Sequence, residues 1–249
     1  MSGLKISVIT AAYNCGQTIE KAITSVIDQD YQNWEHIIID GGSVDGTVDH
    51  IKKYVEKYPD KIRWTSGPDR GIYDALNKGL KMASGDMVSI LGGDDWYEPG
   101  AFAVIAKNYN GDERYKKILY GLVNILENGK SIKTEGYHHE NLRNVTLNHQ
   151  GCFVDKKIYE KYGGFDTQYA ICADYDFFLR VCDYPDVEFV SIKLPLVNFS
   201  AAGASSNDGR RTLENLKIKK KYGVITKKQY FKKLAAQKTK ALAKMIFGV

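Results

Sequence analysis

The first hundred residues repeat one unit: a short apolar run rich in β-branched residues, a polar turn containing Gly, Asp or Asn, and then a stretch of helical periodicity. This alternation constrains the fold more than any other feature. Continuous apolar runs make sense as strands only where both faces are covered, and the crossover helices supply the cover. The runs are Ile6–Thr10, His36–Asp40, Ile62–Ser66 and Met87–Leu91. Between them, Ile19, Ala22, Ile23, Val26 and Ile27 form one helical stripe, and Ile72, Ala75, Leu76, Gly79, Leu80 and Ala83 form another. Val48, Ile51 and Val55 give a weaker third, with Ser43 or Asp45 as its N-cap. A parallel α/β sheet is expected.

Beyond residue 115 the pattern is less regular. Lys117–Leu126, Gly151–Val154 and Val187–Leu196 read as extended, Gly129 as a turn and Asp174–Cys182 as a helix, so the sheet becomes mixed. Ser200–Asp208 has the composition of a mobile loop, and from Arg211 the chain reads as helical to its end. The 249 residues suffice for one domain and a short appendage. At 43% apolar and 26% charged residues, disordered and collagenous classes are excluded. There is no secretory leader pattern and no apolar run of the roughly 18 residues a membrane span needs. Cys15, Cys152, Cys172 and Cys182 form no CxxC pair, which fits reduced thiols in the cytoplasm better than zinc or disulfides.

The net charge of +5 is uneven: residues 216–249 hold 11 lysines and no acid, leaving −6 on the rest. A basic helical tail suits an anionic surface better than nucleic acid, which usually meets charge on the folded domain. Phe231, Leu234, Ala235, Leu242, Met245 and Ile246 gather on one side of that tail, so it either lies on lipid or docks on the domain.

In an open α/β sheet the ligand crevice lies beyond the carboxyl ends of the strands. Here those turns read Ala12-Tyr-Asn14, Asp40-Gly-Gly-Ser-Val-Asp45, Gly67-Pro-Asp-Arg70 and Gly92-Gly-Asp-Asp95. The adjacent carboxylates Asp94 and Asp95 suit a hard divalent cation that keeps positions open for phosphate, or else cap the helix beginning near Pro99. Asp40 either accepts from a base or ribose donor or is a solvated turn residue. No GxGxxG follows the first strand, which disfavours a nicotinamide cofactor.

Four segments in order, Ile6–Asn14, Ile39–Thr47, Asp69–Gly79 and Leu91–Asp95, with Gly163–Asp166 and Ala173–Arg180 after them, resemble the family 2 inverting glycosyltransferases of bacterial cell-surface polysaccharide type. The resemblance covers about residues 4–205. It implies a GT-A fold, a Rossmann-like mixed, mostly parallel sheet flanked by helices. It also implies a transferase domain over 1–207, with a nucleotide-binding half (1–100), an acceptor half (101–207) and a basic helical extension over 208–249.

Carried over by position, the resemblance makes Thr10, Ala12, Tyr13, Asn14 and Asp40 nucleotide contacts. Asp94 becomes a ribose or metal neighbour, Asp95 the ligand of Mn2+ or Mg2+, and Asp174 the general base. Arg70, Asp74 and Lys78 are further donor-pocket candidates, Arg70 and Asp74 being equally readable as a structural ion pair. Gly92-Gly93 departs from the commoner Asn-Ser, and Ala173 stands where many members have Glu. Helical periodicity puts Asp174 on the stripe of 177, 178 and 181, and Asp176 elsewhere.

The expectation is a metal-dependent, non-processive hexosyltransferase, moving one sugar from a nucleotide diphosphate sugar, UDP-sugar first, to a glycan or lipid-linked acceptor. It would be cytoplasmic, able to sit on the inner face of the cell membrane through 216–249, and would use no nucleic acid. A nucleotidyltransferase and a non-catalytic nucleotide- or glycan-binding protein are the alternatives. His149 is a candidate at the acceptor or a structural histidine, His138-His139 a solvated loop, and Gly203–Ser206 a closing loop or linker.

Overall fold

The β-branched runs do form strands, and the helical stripes do form the crossovers between them. A computed structural model describes residues 3–109, 114–127, 129–200 and 208–247. Its first half runs β1 (Ile6–Ala12), α1 (Ile19–Ile27), β2 (Trp34–Asp40), α2 (Thr47–Lys57), β3 (Ile62–Ser66), α3 (Ile72–Met82) and β4 (Met87–Gly92). There follow β5 (Trp96–Tyr97), α4 (Ala101–Asn108), β6 (Lys116–Glu127), β7 (Lys130–Glu135), β8 (Cys152–Asp155), α5 (Lys156–Tyr162) and α6 (Ala173–Val181). β9 (Val187–Ser200), α7 (Asp208–Lys221) and α8 (Lys227–Phe247) complete the order.

The strands make one sheet in the order β3-β2-β1-β4-β8-β6-β9-β5, with β7 beside β6. β1 pairs in parallel with both β2 and β4, and β2 with β3. β8 runs antiparallel to β4 and β6, and β6 is parallel to β9. All seven residues of β2 are buried, whereas on the edge strand β3 only Ile62 is. Two core layers result. Ile9, Ile37, Val88 and Leu76 lie in one with α6, and Val8, Ile38, Leu91, Ile19 and Phe102 in the other. The α3 stripe sits so close to β1 that a Cβ on Gly79 would fall 2.3 Å from Ile9 Cγ2. Only glycine permits that approach.

Two readings of the capping residues need correction. Neither Ser43 nor Asp45 is the N-cap of α2: Gly46 is, with φ 92°, and Asp45 instead accepts from Thr47 N at 3.2 Å. The helix after 99 begins at Ala101 behind Gly100, with no side-chain cap, so the aspartates at 94 and 95 do not cap it. From Arg211 the chain is helical as far as Phe247 apart from the break at Gly223 (φ 67°), which separates α7 from α8. α7 buries Glu214, Leu216 and Ile218, and Ile218 joins the core around α6. Among the described residues no helix is long and apolar enough to cross a membrane.

Candidate active site

The register of the parallel strands aligns Ala12 with Asp40, Asp40 with Ser66, and Ala11 with Gly92. Four strand ends therefore open on one edge. The chain runs from β1 through β2 to β3 on one side of β1 and returns to β4 on the other, so the strand order reverses there and a crevice opens. The β1 and β2 loops are laced together on one side of it. Asn14 N donates to Ser43 Oγ (2.8 Å), Val44 N to Asn14 Oδ1 (3.1 Å), and Gly16 N to Asp45 Oδ2 (2.9 Å). Asn14 takes φ 47°, and Tyr13 beside it is 67% exposed.

Thr10 and Asp40, expected as nucleotide contacts, have no exposed surface. The Thr10 hydroxyl pairs with His36 Nε2 at 2.9 Å. Asp40 accepts from Gly42 N (3.0 Å), Ser43 N (3.1 Å), Ser66 Oγ (2.6 Å) and Ser43 Oγ. Four donors on one buried carboxylate make it the organiser of the β2 and β3 turns in this conformation, which is a different task from touching a ligand. Ala12 is likewise buried.

At the end of β4, Asp95 is 2% exposed and Asp94 half-buried. Asp95 Oδ1 accepts from Ser200 N at 2.9 Å, joining the β4 turn to the last residue of β9. Burial, then the Asp94 charge, push its carboxyl up to about 7, and burial raises Asp94 too. A Cβ on Gly92 would lie 2.5 Å from Asp95 Oδ2. Two hard oxygen donors raised by burial, Asp95 also by the Asp94 charge, with no basic side chain among the described residues offsetting them, fit a divalent cation.

The start of α3 supplies a charged rim. Arg70 Nη2 bonds Asp74 Oδ1 at 3.3 Å, while Lys78 reaches both Asp74 (3.4 Å) and Asp69. Arg70, Asp74 and Lys78 thus interlock, with the Arg70 side chain 85% exposed. From the same helix Tyr73 reaches across to α6, its hydroxyl 2.7 Å from Ile171 O and 3.1 Å from Asp174 Oδ1. Burial pushes Asp174 up to about 6 despite that bond.

The neighbouring Asp176 has no exposed surface and is consumed by Arg180 (2.8 Å), Lys221 (2.7 Å) and Tyr222 (3.1 Å). Tyr73, Asp69, Ser66 and Glu214 were not singled out from sequence. Tyr73 lies within the Asp69–Gly79 segment, where its position next to the apolar stripe was the available signal.

His149 has little exposed surface. It is buried between Phe165 and Phe178, and burial pulls it down to about 4, so it is neutral. His139 is not in a freely solvated loop: it stacks on Phe189 at 4.9 Å and pairs with the Tyr120 hydroxyl at 2.9 Å. Gly203–Ser206 lies outside the described residues. A groove of about 810 Å³ begins at Arg70 and Asp74 and continues along Asn77, Lys81, Lys156 and Phe165, away from the strand ends.

The sequence profile described as Glycosyl transferase family 2 matches residues 7–163. A glycosyltransferase of Mycobacterium tuberculosis is 30% identical over 213 residues, covering 81% of this chain and 77% of that protein. A PGL/p-HBAD biosynthesis glycosyltransferase of Mycobacterium bovis is 24% identical over 212 residues, covering 83% and 81%. Among solved structures, S. aureus TarS 1-349 in complex with UDP-GlcNAc superposes with TM-score 0.68 at 17% identity, covering 88% of this chain and 66% of that one. Against the longer TarS chain the coverage is 87% and 39%, so this chain spans well under half of that protein. Mannosyltransferase PcManGT from Pyrobaculum calidifontis, in complex with GDP-Man and Mn2+, gives TM-score 0.62 at 20% identity, covering 88% and 64%. At such identities the structural likeness speaks for the GT-A fold. The profile match, the Mycobacterium tuberculosis relative and the strand-end carboxylates agree: the chain belongs to glycosyl transferase family 2 and is a glycosyltransferase.

Proposed function

We propose that this glycosyltransferase moves a single sugar, with inversion, from a nucleotide diphosphate sugar to a glycan or lipid-linked acceptor in cell-surface polysaccharide synthesis. The observation that carries the reading is the pairing of two carboxylate centres on one edge of the sheet. Asp94–Asp95 sits at the β4 end, and Asp174 is tied through Tyr73 to the helix leaving β3. TarS with UDP-GlcNAc and PcManGT with GDP-Man support a nucleotide-sugar donor, and UDP-sugars are the first class to try.

Asp174, largely but not fully buried and raised to about 6, is the general base. It takes the proton from the acceptor hydroxyl as that oxygen attacks the anomeric carbon. A base so placed contributes roughly 10²- to 10⁴-fold. The bond to the diphosphate breaks in the same displacement, which inverts the anomeric centre. Tyr13 and Asn14 flank the nucleotide, Arg70 and Lys78 face the departing negative charge, and Asp74 holds both cations in place. Asp95, with Asp94, would hold Mn2+ or Mg2+, which when bound offsets charge on the diphosphate. Thr10, Ala12 and Asp40 shape the loops from beneath. The exposed part of the basic tail offers a contact for an anionic membrane surface.

The test is calorimetric binding of UDP and GDP with and without Mn2+, followed by release of nucleoside diphosphate from UDP- and GDP-sugars. Binding of one nucleotide that needs metal and is lost in Asp95→Ala is expected, with turnover falling at least about 10²-fold in Asp174→Asn at unchanged nucleotide affinity. The rate should fall about tenfold per pH unit below about 6, because a protonated Asp174 cannot accept. Release of pyrophosphate from UTP or GTP supplied with a sugar phosphate, with no nucleoside diphosphate released from the nucleotide sugars, would move the nucleotidyltransferase reading ahead. Undiminished turnover in Asp174→Asn would remove the base assignment.

A further inference from the structure

The turn that delivers Asp174 has little to hold it from within. Asp174 is the second residue of α6, and Cys172 at the helix N-cap makes no side-chain capping bond. The order comes from two elements distant in sequence. Glu214 of α7 points its carboxylate at three successive amides: Ala170 N donates to Oε1 at 3.0 Å, while Ile171 N and Cys172 N donate to Oε2 at 2.9 and 3.0 Å. The Glu214 side chain is 7% exposed and is backed by Arg210 Nε at 3.1 Å. Burial opposes its ionised form, but the three amides outweigh burial and keep the carboxyl below its usual value. Charge-assisted bonds of this kind are roughly twice as strong as neutral ones.

From the other side comes Tyr73 of α3, buried and packed on Phe165 at 5.4 Å between ring centres. Its hydroxyl has two acceptors, Ile171 O and Asp174 Oδ1, and one hydrogen to give. That arrangement serves both protonation states of the aspartate. When Asp174 is ionised, the phenol donates to it. When Asp174 carries a proton, the carboxyl O–H donates to the phenol oxygen and the phenol donates to Ile171 O. A group that must take up a proton and shed it in each cycle is thereby held in one place throughout.

We infer that Tyr73 and Glu214 are positioning residues forming a brace around the 170–174 turn, Glu214 fixing its backbone and Tyr73 orienting the Asp174 carboxylate. The inference rests on Asp174 being the base, as proposed above. Other groups facing Asp174 are Cys152 of β8, Cys172 of its own turn, and Arg211 of α7, whose charge favours the ionised carboxylate.

The experiment uses the full chain with Tyr73→Phe, Glu214→Gln and Glu214→Asp, each alone and in an Asp174→Asn background. One readout needs no substrate: the carboxyl carbon-13 titration of aspartate-labelled protein, with the Asp174 signal assigned by its loss in Asp174→Asn. Its midpoint, about 6 in the parent chain, should rise in Tyr73→Phe because the bond lost from the ionised form is charge-assisted and stronger than the one lost from the protonated form. The second readout is nucleoside diphosphate release from UDP-GlcNAc, UDP-glucose and GDP-mannose with Mn2+. With whichever donor turns over, kcat should fall roughly 10-fold or more in Tyr73→Phe and Glu214→Gln at unchanged KM for the donor, since misplacing a reacting group by about 1 Å costs about 10²-fold.

Glu214→Asp, which keeps the charge, should recover part of that loss. Neither brace substitution should slow the residual rate of Asp174→Asn. Losses that add to that of Asp174→Asn, or an unmoved midpoint in Tyr73→Phe, would overturn the brace. Full turnover in Asp174→Asn would overturn the base assignment instead, so the two failures are distinct. Tyr73→Phe keeps the ring in the core, so the titration decides the point even if Glu214→Gln does not fold.

Discussion

Gly92 shows how one missing methyl shapes the site. The Asp95 carboxylate folds back over the glycine backbone, with Oδ2 where a Cβ would come within 2.5 Å and Asp94 Oδ1 where it would come within 3.0 Å. An alanine at 92 requires the Asp95 carboxylate to shift, which disturbs the bond its Oδ1 accepts from Ser200 N. We expect Gly92→Ala to weaken Mn2+-dependent UDP binding at least about tenfold, or roughly 1.4 kcal/mol. Titration calorimetry beside the parent chain checks this, and equal affinity would mean that the carboxylates do not take part in donor binding. The same scale separates Asp174 from Asp176. Both lie in the first turn of α6, yet one accepts from a phenol while the other pairs with Arg180 and Lys221 and is spent on structure.

Among elements, β2 ties its neighbours in the parallel half together, and Glu35 shows how. Its carboxylate accepts from Ser7 Oγ on β1 and from Ser84 N (2.6 Å) in the turn before β4. It also pairs with Lys5 at 3.3 Å and with Arg63 on β3 at 2.9 Å. Burial would raise this acid, but the hydrogen bonds from Ser7 and Ser84 and the Lys5 charge outweigh burial and hold it down to about 2. A carboxyl depressed in the folded state stabilises it fully above its ordinary value of 4.5, and that contribution drains away as pH falls towards 2. The displacement is worth up to about 3 kcal/mol. Urea unfolding should find Glu35→Gln less stable by about that amount at pH 7, with the gap from the parent closing at low pH. A gap independent of pH would show that packing, not charge, is what Glu35 provides.

For the whole molecule, the C-terminal segment divides in two. α7 belongs to the domain: Ile218 and Leu216 are buried, Lys221 pairs with Asp176, and Lys219 donates to Asn144 O at 2.9 Å. Part of the basic charge that looked free for a membrane is thus held against the protein. α8 is different, with Phe231 60% exposed. Removing 224–249 should leave the melting temperature within a few degrees of the parent. Removing 208–249 should abolish cooperative unfolding, since losing buried Ile218 alone costs about 2–5 kcal/mol. Sedimentation with vesicles containing anionic lipid should fall in the shorter deletion, and equal pelleting would rule out a membrane role for α8.

The order of strands and helices in residues 6–92 was written in the sequence, because apolar periodicity of two kinds is a local property and each unit has one way to bury its face. The carboxylates at 94 and 95 were legible for the same reason, lying directly after a strand whose far end must open on the crevice. The rest depended on pairings across long separations. Nothing local to Asp40 tells that Ser66 and Ser43 will occupy it, nothing local to Thr10 that His36 will take its hydroxyl, and nothing local to Glu214 that three amides some 42 to 44 residues earlier await it. Short pieces such as β5 and the exposed β7 carry too little periodicity to be read at all. The sequence alone determined the kind of sheet and the edge on which its chemistry would lie. Tertiary structure decided which carboxylates stay available there, because availability depends on which donors arrive from elsewhere in the chain.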